Sequence, residues 1–154
     1  MCNDRYIDVG FFMADVAVIL GSASDNEIAD RVCSVLAEHG VSFDCKVLSA
    51  HREPEKLDAY LQECTCSIYI AIAGLSAALP GVIASRTDRP VIGVPVSGTL
   101  LGIDALLSIA QMPRGVPVAT VGVDAAENAA LLAVRILALA AQIGKSSSIS
   151  GSMH

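Results

Sequence analysis

The 154-residue chain contains no tryptophan and only three tyrosines and three phenylalanines. Few aromatic side chains are present to stack on both faces of a flavin ring, so this composition argues against a flavin-binding module. Basic residues are scarce as well, since 10 Lys and Arg face 16 Asp and Glu, for a formal net charge of −6. General nucleic-acid binding needs a basic face and is not expected, although one arginine with a few backbone amides can hold a single phosphate group.

Charge of either sign is low, because charged residues make up 17% of the chain and hydrophobic residues 53%. So few charges cover the surface of a monomer poorly. We therefore expect a homo-oligomer that buries apolar surface between its subunits, with an alanine-rich monomer as the alternative. The length predicts one domain with a core of its own.

The sequence also lacks the marks of a membrane or secreted protein. Its apolar runs are interrupted by Gly, Pro or polar residues, and no basic segment precedes a cleavable apolar segment near Met1. Met13 is an alternative start. We expect a cytoplasmic protein without a membrane partner, with an N-terminal extension at 1–13, a single domain at 14–143 and a Ser-rich, disordered tail at 144–154.

The five cysteines are an odd number and form no C-x-x-C pair. Cys64 and Cys66 are separated by one residue, and no histidine lies near them in the sequence. We expect reduced thiols inside a cytoplasmic protein, rather than disulfides, a metal site or a redox site.

Apolar runs that resemble strands alternate with segments of helical spacing along the chain. Strands are predicted at 15–20, 41–48, 67–73, 90–95 and 118–123. Helices are predicted at 24–38, at 54–63, in a short segment ending near 85, at 104–110 and at 124–143. This alternation indicates an α/β protein, a flavodoxin-like three-layer αβα sandwich on a five-stranded parallel sheet of order 2-1-3-4-5. Right-handed crossovers then bring every β-to-α loop to one sheet edge, where a ligand site is expected.

The loop after the second predicted strand carries the residues best suited to chemistry. His51 is one of three histidines and can exchange protons near neutral pH. The adjacent Arg52 can grip a phosphate or carboxylate with two hydrogen bonds. A loop histidine taken alone is more often a surface residue, so a second segment at the same edge is needed to support a site.

The loop after the first predicted strand, Gly21–Asp25, supplies such a segment. A glycine allows a sharp turn, and the amides and hydroxyls that follow can bind an anion. The pattern is neither a P-loop nor G-x-G-x-x-G, so it implies no nucleotide cofactor. Ser24 and Glu27 fit a capping box, while Ser22 and Asp25 are expected to face a ligand, with Asp25 suited to ribose hydroxyls.

Two further loops are less specific. The loop that begins at Ala73 is rich in small residues, which would allow either a ligand close to the backbone or tight packing against another subunit. Asp124 and Glu127 fit a second capping box.

Together these segments resemble the PurE family, the catalytic subunit of phosphoribosylaminoimidazole carboxylase and its N5-carboxyaminoimidazole ribonucleotide mutase relatives. The resemblance spans roughly residues 15–140. The matching segments are Gly21–Asp25, Ser49–Arg52, Leu79–Gly81, Pro90–Pro95 and Gln111–Thr120, with Asn128–Ala133 extending the match.

The resemblance implies an enzyme of purine biosynthesis that forms 4-carboxy-5-aminoimidazole ribonucleotide (CAIR). It assigns His51 as the catalytic residue and Arg52 to the substrate phosphate. It implies an octamer and no metal, biotin or nucleotide cofactor. The substrate-binding set that it implies is Gly21, Ser22, Ser24, Asp25, Ser49, Ala50, Arg52, Ala73, Gly74, Leu75, Ser76 and Leu79.

One departure from the family bears on the carboxyl donor. Bacterial mutases of the family carry a second histidine directly before the Leu-Pro-Gly segment, where this chain has Ala78. Carboxylate transfer from N5-carboxyaminoimidazole ribonucleotide (N5-CAIR) is expected, with direct carboxylation of aminoimidazole ribonucleotide (AIR) by CO2 as the alternative. A paralogous carboxylase of another ring mononucleotide and a non-catalytic nucleotide-binding module are the other readings.

Overall fold

The computed structural model describes residues 14–150, with side chains for residues 14–144. Five strands alternate with five helices, and a 3-10 turn at Ala23–Asp25 precedes the first helix. The strands are β1 (Val16–Leu20), β2 (Phe43–Val47), β3 (Ile68–Ala73), β4 (Val91–Pro95) and β5 (Ala119–Thr120). The helices are α1 (Asn26–Glu38), α2 (Pro54–Glu63), α3 (Leu79–Ala84), α4 (Ile103–Ala110) and α5 (Ala126–Ser150).

The sheet has the order β2-β1-β3-β4-β5, and every pair of neighbouring strands is parallel. Val16 at the start of β1 is paired with Phe43 of β2 on one side and Ile68 of β3 on the other. The predicted strand order and fold class are confirmed. Because all strands run the same way, the loops that follow β1, β2 and β3 meet at one edge.

Alternate residues of the central strands supply the two apolar layers. Val18 and Leu20 of β1 pack with α1 and α5, whereas Ala17 and Ile19 pack with α2, α3 and α4. This alternation follows from the two-residue period of a strand and produces the predicted three layers. The strands β1, β3 and β4 are buried along their whole length, as expected for strands covered on both faces.

The start of α1 differs from the prediction. The chain passes through the 3-10 turn first, so the capping position moves upstream to Ser22, whose Oγ accepts a hydrogen bond from the Ser24 N–H at 3.3 Å. Asp25 precedes α1 and makes no side-chain capping bond. The capping box predicted from Ser24 and Glu27 is therefore wrong. The helix ends as predicted, with Gly40 following it at a left-handed φ of 67°.

The capping box predicted from Asp124 and Glu127 is also wrong, because α5 begins at Ala126 and Asp124 before it has a left-handed φ of 56°. Asp124 Oδ1 accepts a hydrogen bond from the Ser97 N–H at 2.9 Å, which ties α5 to the loop after β4. Glu127 accepts two hydrogen bonds from Arg31 of α1, at 2.8 and 2.7 Å. These carboxylates join elements of the fold and do not cap a helix.

The last strand and the last helix differ in length from the prediction. β5 covers two residues instead of six, and it pairs with β4 alone at the edge of the sheet. In contrast, α5 continues to Ser150 instead of ending near Ile143. The expected tail at 144–154 therefore overlaps α5, and the predicted domain bounds stay a prediction. The expected extension at 1–13 and residues 151–154 lie outside the described residues.

The helix α5 also qualifies the expectation about membrane segments. Its residues Ala126–Gly144 have a mean hydropathy of 1.4 and are long enough to cross a membrane, with 22% of them buried. The buried face is alanine, with Ala126, Ala129 and Ala133 packed in the core. Length and composition alone thus do not exclude a spanning helix, although this one contributes to the core of the domain.

Candidate active site

The loops after β1, β2 and β3 enclose a cavity of about 400 Å³ at the carboxyl edge of the sheet. All of the residues predicted for the site line this cavity except Ser76, and Ala77 and Ala78 line it in addition. The lining residues are Gly21, Ser22, Ser24, Asp25, Ser49, Ala50, His51, Arg52, Ala73, Gly74, Leu75, Ala77, Ala78 and Leu79. Three separate segments of the sequence are therefore brought to one place by the parallel topology.

Arg52 links the first two loops. Its Nη2 donates a hydrogen bond to the Gly21 carbonyl at 2.9 Å, and its Nε lies 3.3 Å from Ser49 Oγ. Ser49 is 6% exposed, and its hydroxyl also accepts from the Arg52 backbone N–H at 3.3 Å. The guanidinium is thus held in place while its remaining N–H groups face solvent, an arrangement suited to an anionic group.

The first loop carries a short chain of polar groups. The Ser24 hydroxyl lies 3.0 Å from Ser22 Oγ and 3.0 Å from Asp25 Oδ1. A hydroxyl has one hydrogen, so Ser24 can donate to one of these oxygens only. A ligand that bonds to Asp25 or to Ser22 can therefore reorganise this chain.

Burial changes the acidity of Asp25. Desolvation raises the pKa of its carboxyl, and the hydrogen bond from Ser24 opposes this by favouring the charged form. A carboxylate that is partly removed from water benefits from donors such as sugar hydroxyls. A second negative charge placed beside it would be repelled.

His51 lies at the mouth of the cavity. It occupies the turn between β2 and α2, which is closed by the hydrogen bond from the Glu53 N–H to the Ser49 carbonyl at 3.0 Å. Pro54 then begins α2, where its missing N–H costs no hydrogen bond. The His51 ring is exposed and no hydrogen bond to it is found among residues 14–144, so both ring nitrogens are open to a ligand.

The third loop forms the apolar side of the cavity. Ala77 is 2% exposed and Leu79 is 3% exposed, whereas Leu75 is 79% exposed. The Ala77 N–H donates to the Gly74 carbonyl at 3.1 Å and so closes a tight turn. Ser76 lies at this turn with a left-handed φ of 53°, and it does not line the cavity with the other predicted residues.

Ala77 and Ala78 were missing from the predicted binding set. The signal for them was present in the sequence, because both belong to the same run of small residues as Gly74. The groups of this lining that can carry charge are Asp25, His51 and Arg52. Among the described residues no group of three or more His, Cys, Asp or Glu side chains could hold a metal ion, and the absence of a cofactor stays a prediction.

Comparison with known sequences identifies relatives along most of the chain. The family model described as AIR carboxylase matches residues 15–148. A protein of Methanocaldococcus jannaschii named N5-carboxyaminoimidazole ribonucleotide mutase is 54% identical over 80% of this chain and 79% of its own length. The phosphoribosylaminoimidazole carboxylase of Saccharomyces cerevisiae is 50% identical over 79% of this chain, which corresponds to 22% of that longer protein.

Comparison with solved structures agrees. The crystal structure of Treponema denticola PurE has a TM-score of 0.74 and 33% sequence identity to this chain, and the match covers 89% of this chain and 90% of that one. The sequence and structural similarities both extend across the elements that form the cavity. The chain belongs to the AIR carboxylase family, the PurE family expected from its sequence motifs.

Proposed function

We propose that this chain is an N5-CAIR mutase that forms CAIR in purine biosynthesis, as its archaeal relatives are named. The observation that carries the proposal is the cavity itself, in which an exposed imidazole and a fixed guanidinium meet a wall of small apolar residues. An enzyme that binds a phosphorylated imidazole and moves a carboxylate requires these groups. As an enzyme of this type it needs a proton carrier, a phosphate site and a place for CO2.

The polar loops are assigned to the ribonucleotide. Its phosphate lies against the free N–H groups of Arg52 and the Ser22 hydroxyl, where the fixed guanidinium can bind it without further ordering. Its ribose hydroxyls donate to Asp25, which burial leaves in need of donors. The imidazole ring then lies between His51 and the small residues of the third loop.

The chemistry follows from this orientation. The bond between the exocyclic nitrogen and its carboxylate breaks and releases CO2, and His51 in its protonated form supplies a proton to that nitrogen. The ring carbon then attacks the same CO2, and neutral His51 removes the proton from that carbon. One imidazole thus returns to its starting state in each cycle, with no net proton consumed.

The apolar wall is assigned to CO2. Ala77, Ala78 and Leu79 offer no charged group to compete with the ring carbon for it. Holding CO2 beside the nucleophile is a proximity effect, which is lost if CO2 escapes to solvent. In the alternative reaction CO2 enters from solution, and His51 has only to remove the ring proton from AIR.

An isotope experiment separates these two reactions. N5-CAIR labelled with ¹³C in its carboxylate is converted in unlabelled bicarbonate buffer, and the label in CAIR is measured by mass spectrometry. Retention of the label supports the mutase. Unlabelled CAIR, formed equally fast from AIR and bicarbonate, identifies a direct carboxylase. Failure to form CAIR from either substrate, with folded protein, contradicts both and directs the test to other ring mononucleotides.

The assembly is part of the same proposal. Large exposed apolar side chains concentrate next to the site edge, in the loop after β4 and in α4: Leu100 is 62% exposed, Leu101 77%, Ile103 58% and Leu107 51%. A monomer rarely leaves such a patch in water, so we assign it to contact with other copies of this chain. The proposed assembly is an octamer, and the proposed compartment is the cytoplasm. Sedimentation velocity at micromolar concentration tests this, and a monomer would contradict it.

A further inference from the structure

A second cluster of reactive groups lies away from the cavity, between α2 and β3. Cys64 follows α2 and Cys66 precedes β3, so both lie at the amino edge of the sheet, opposite the site. The structure records both as free thiols, and the proposed reaction uses neither. Cys66 is 1% exposed, whereas Cys64 is only partly buried.

The two cysteines are held close together by hydrogen bonds. The Cys66 backbone N–H donates to Cys64 Sγ at 3.4 Å. Arg89, which lies just before β4, donates from Nη1 to the Cys64 carbonyl at 2.9 Å and to Cys66 Sγ at 3.9 Å. One guanidinium therefore fixes the short segment that carries both sulfur atoms.

The surroundings of the two thiols shift their pKa values in opposite directions. A hydrogen bond donated by the Cys66 thiol is the main cause that lowers the pKa of Cys64 to about 6, and burial opposes it. The same hydrogen bond and burial raise the pKa of Cys66. The other titratable groups nearby are the hydroxyl of Tyr69 on β3 and that of Tyr60 on α2, which donates to Asp44 of β2 at 2.8 Å. Cys64 is also the more exposed of the two, so it is the thiol that a reagent in solution reaches first, with the buried Cys66 beside it.

We propose that Cys64 is a thiol-modification site that exchanges with low-molecular-weight disulfides such as glutathione disulfide, and that Cys66 is its resolving thiol. The nucleophile in such exchange is the thiolate, so an accessible thiolate with a second thiol beside it is the arrangement that this chemistry needs. Cys64 and Cys66 are separated by a single residue, whereas Cys33 and Cys45 are far from any other cysteine in the sequence.

The exchange proceeds in two balanced steps. The Cys64 thiolate attacks one sulfur of glutathione disulfide, its S–S bond breaks, and one glutathione leaves as a thiolate while a Cys64–glutathione disulfide forms. Cys66 then gives up its proton and attacks the Cys64 sulfur, which forms a Cys64–Cys66 disulfide and releases the second glutathione. Two protein thiols are oxidised, and one small disulfide is reduced to two thiols.

Intact and peptide mass spectrometry tests the proposal on the full chain exposed to glutathione disulfide at neutral pH. Wild-type protein is expected to lose two hydrogens, with the new bond mapped to the peptide that contains Cys64 and Cys66. Cys66→Ser is expected to accumulate one glutathionyl group on Cys64, and Cys64→Ser to accumulate none on the peptide that contains Cys66. Cys45→Ser is the matched control and should behave as wild type. Modification of Cys33 or Cys45 ahead of Cys64 would overturn the proposal.

Alkylation of wild-type protein keeps the proposal testable if a variant fails to fold. The rate of carbamidomethylation at each cysteine is followed by peptide mapping between pH 5 and pH 9. Cys64 is expected to reach half of its maximal rate near pH 6, below the midpoints of Cys33, Cys45 and Cys66. A midpoint equal to that of Cys33 and Cys45 would contradict the proposal. Both experiments measure the masses of peptides that contain the cysteines, which lie at the edge of the sheet opposite the cavity. Their outcome is therefore independent of the mutase assignment.

Discussion

The two polar loops of the cavity, Gly21–Asp25 and Ser49–Arg52, are joined by side-chain hydrogen bonds, with Arg52 bound to Gly21 and to Ser49. No side-chain hydrogen bond is found in the third loop, Ala73–Leu79, within the described part of the chain, and a tight backbone turn shapes it instead. The polar side is therefore ordered before a ligand arrives, which suits the charged and hydroxylated parts of a ribonucleotide. The apolar side excludes water by packing alone.

This contrast predicts different consequences for substitutions on the two sides. Changes on the polar side remove a charge, a proton carrier or a fixed donor, each of which can be worth several kcal/mol in a partly desolvated site. Changes on the apolar side alter the shape of the space left for the ring and for CO2. Kinetic constants measured for both sides test whether the division is real.

The largest effect is expected for His51→Asn. The substitution removes the proton carrier but keeps a polar side chain of similar size, so the turnover number should fall roughly 10²–10⁴-fold. Steady-state formation of CAIR, followed by ultraviolet absorbance, measures this. His39→Asn is the matched control, because His39 lies exposed at the end of α1, where its ring Nδ1 is 2.9 Å from the Val35 carbonyl oxygen. Wild-type turnover in His51→Asn would remove the catalytic assignment.

Arg52→Ala is expected to act on binding more than on turnover. Hydrogen bonds to a charged group contribute about 1.5–3 kcal/mol, so KM should rise roughly 10- to 100-fold. The same substitution frees Ser49 and Gly21 from their partner, and Arg52→Lys should recover only part of the loss, since lysine lacks the planar fork. Arg135→Ala, at an exposed position of α5, serves as the control. An unchanged KM in Arg52→Ala would contradict the phosphate assignment.

Ala78→Val changes the apolar side without adding charge. One isopropyl group in place of a methyl group reduces the space beside the ring, and a pocket commonly discriminates such a change by roughly tenfold. We expect this loss in turnover, with KM nearly unchanged because the phosphate and ribose contacts remain. A rise in KM as large as that of Arg52→Ala would show that the two sides do not act separately.

Asp25→Asn is expected to raise KM about fivefold, near 1 kcal/mol, because the amide keeps one acceptor for the ribose but loses the charge. It should also stabilise the fold at neutral pH. Since burial raises the folded-state pKa of Asp25 above 3.8, the folded protein binds this proton more tightly than the unfolded chain, and its stability falls as pH rises through that range. Denaturation at pH 7 and below pH 3 checks this, and the gain should vanish at the lower pH.

The sheet order and the place of the cavity were predictable because they depend on local patterns. Alternating strand and helix signals fix a parallel sheet, and its crossovers bring the residues near Gly21, His51 and Leu79 to one edge. The links between distant residues were not predictable. Arg31 and Glu127 are 96 residues apart, and Asp124 resembles a helix cap until the loop that carries Ser97 is placed beside it. Local spacing carries no information about such partners.

The smallest effect is expected for Ser76→Gly, which tests whether Ser76 contributes to binding from outside the cavity lining. A left-handed φ costs an L-residue about 1–2 kcal/mol and glycine almost nothing, but glycine loses more chain entropy, roughly 0.5–1 kcal/mol. The free energy of unfolding should therefore change by less than about 1 kcal/mol. Both kinetic constants should stay within about twofold of wild type, given that Ser76 lies outside the cavity lining. Urea denaturation and steady-state kinetics measure the two quantities, with Ser85→Gly as a control at an exposed position beyond α3. A KM raised tenfold would mean that the loop turns Ser76 onto the bound ribonucleotide. The apolar side would then bind substrate partly through a polar contact that forms only with substrate present.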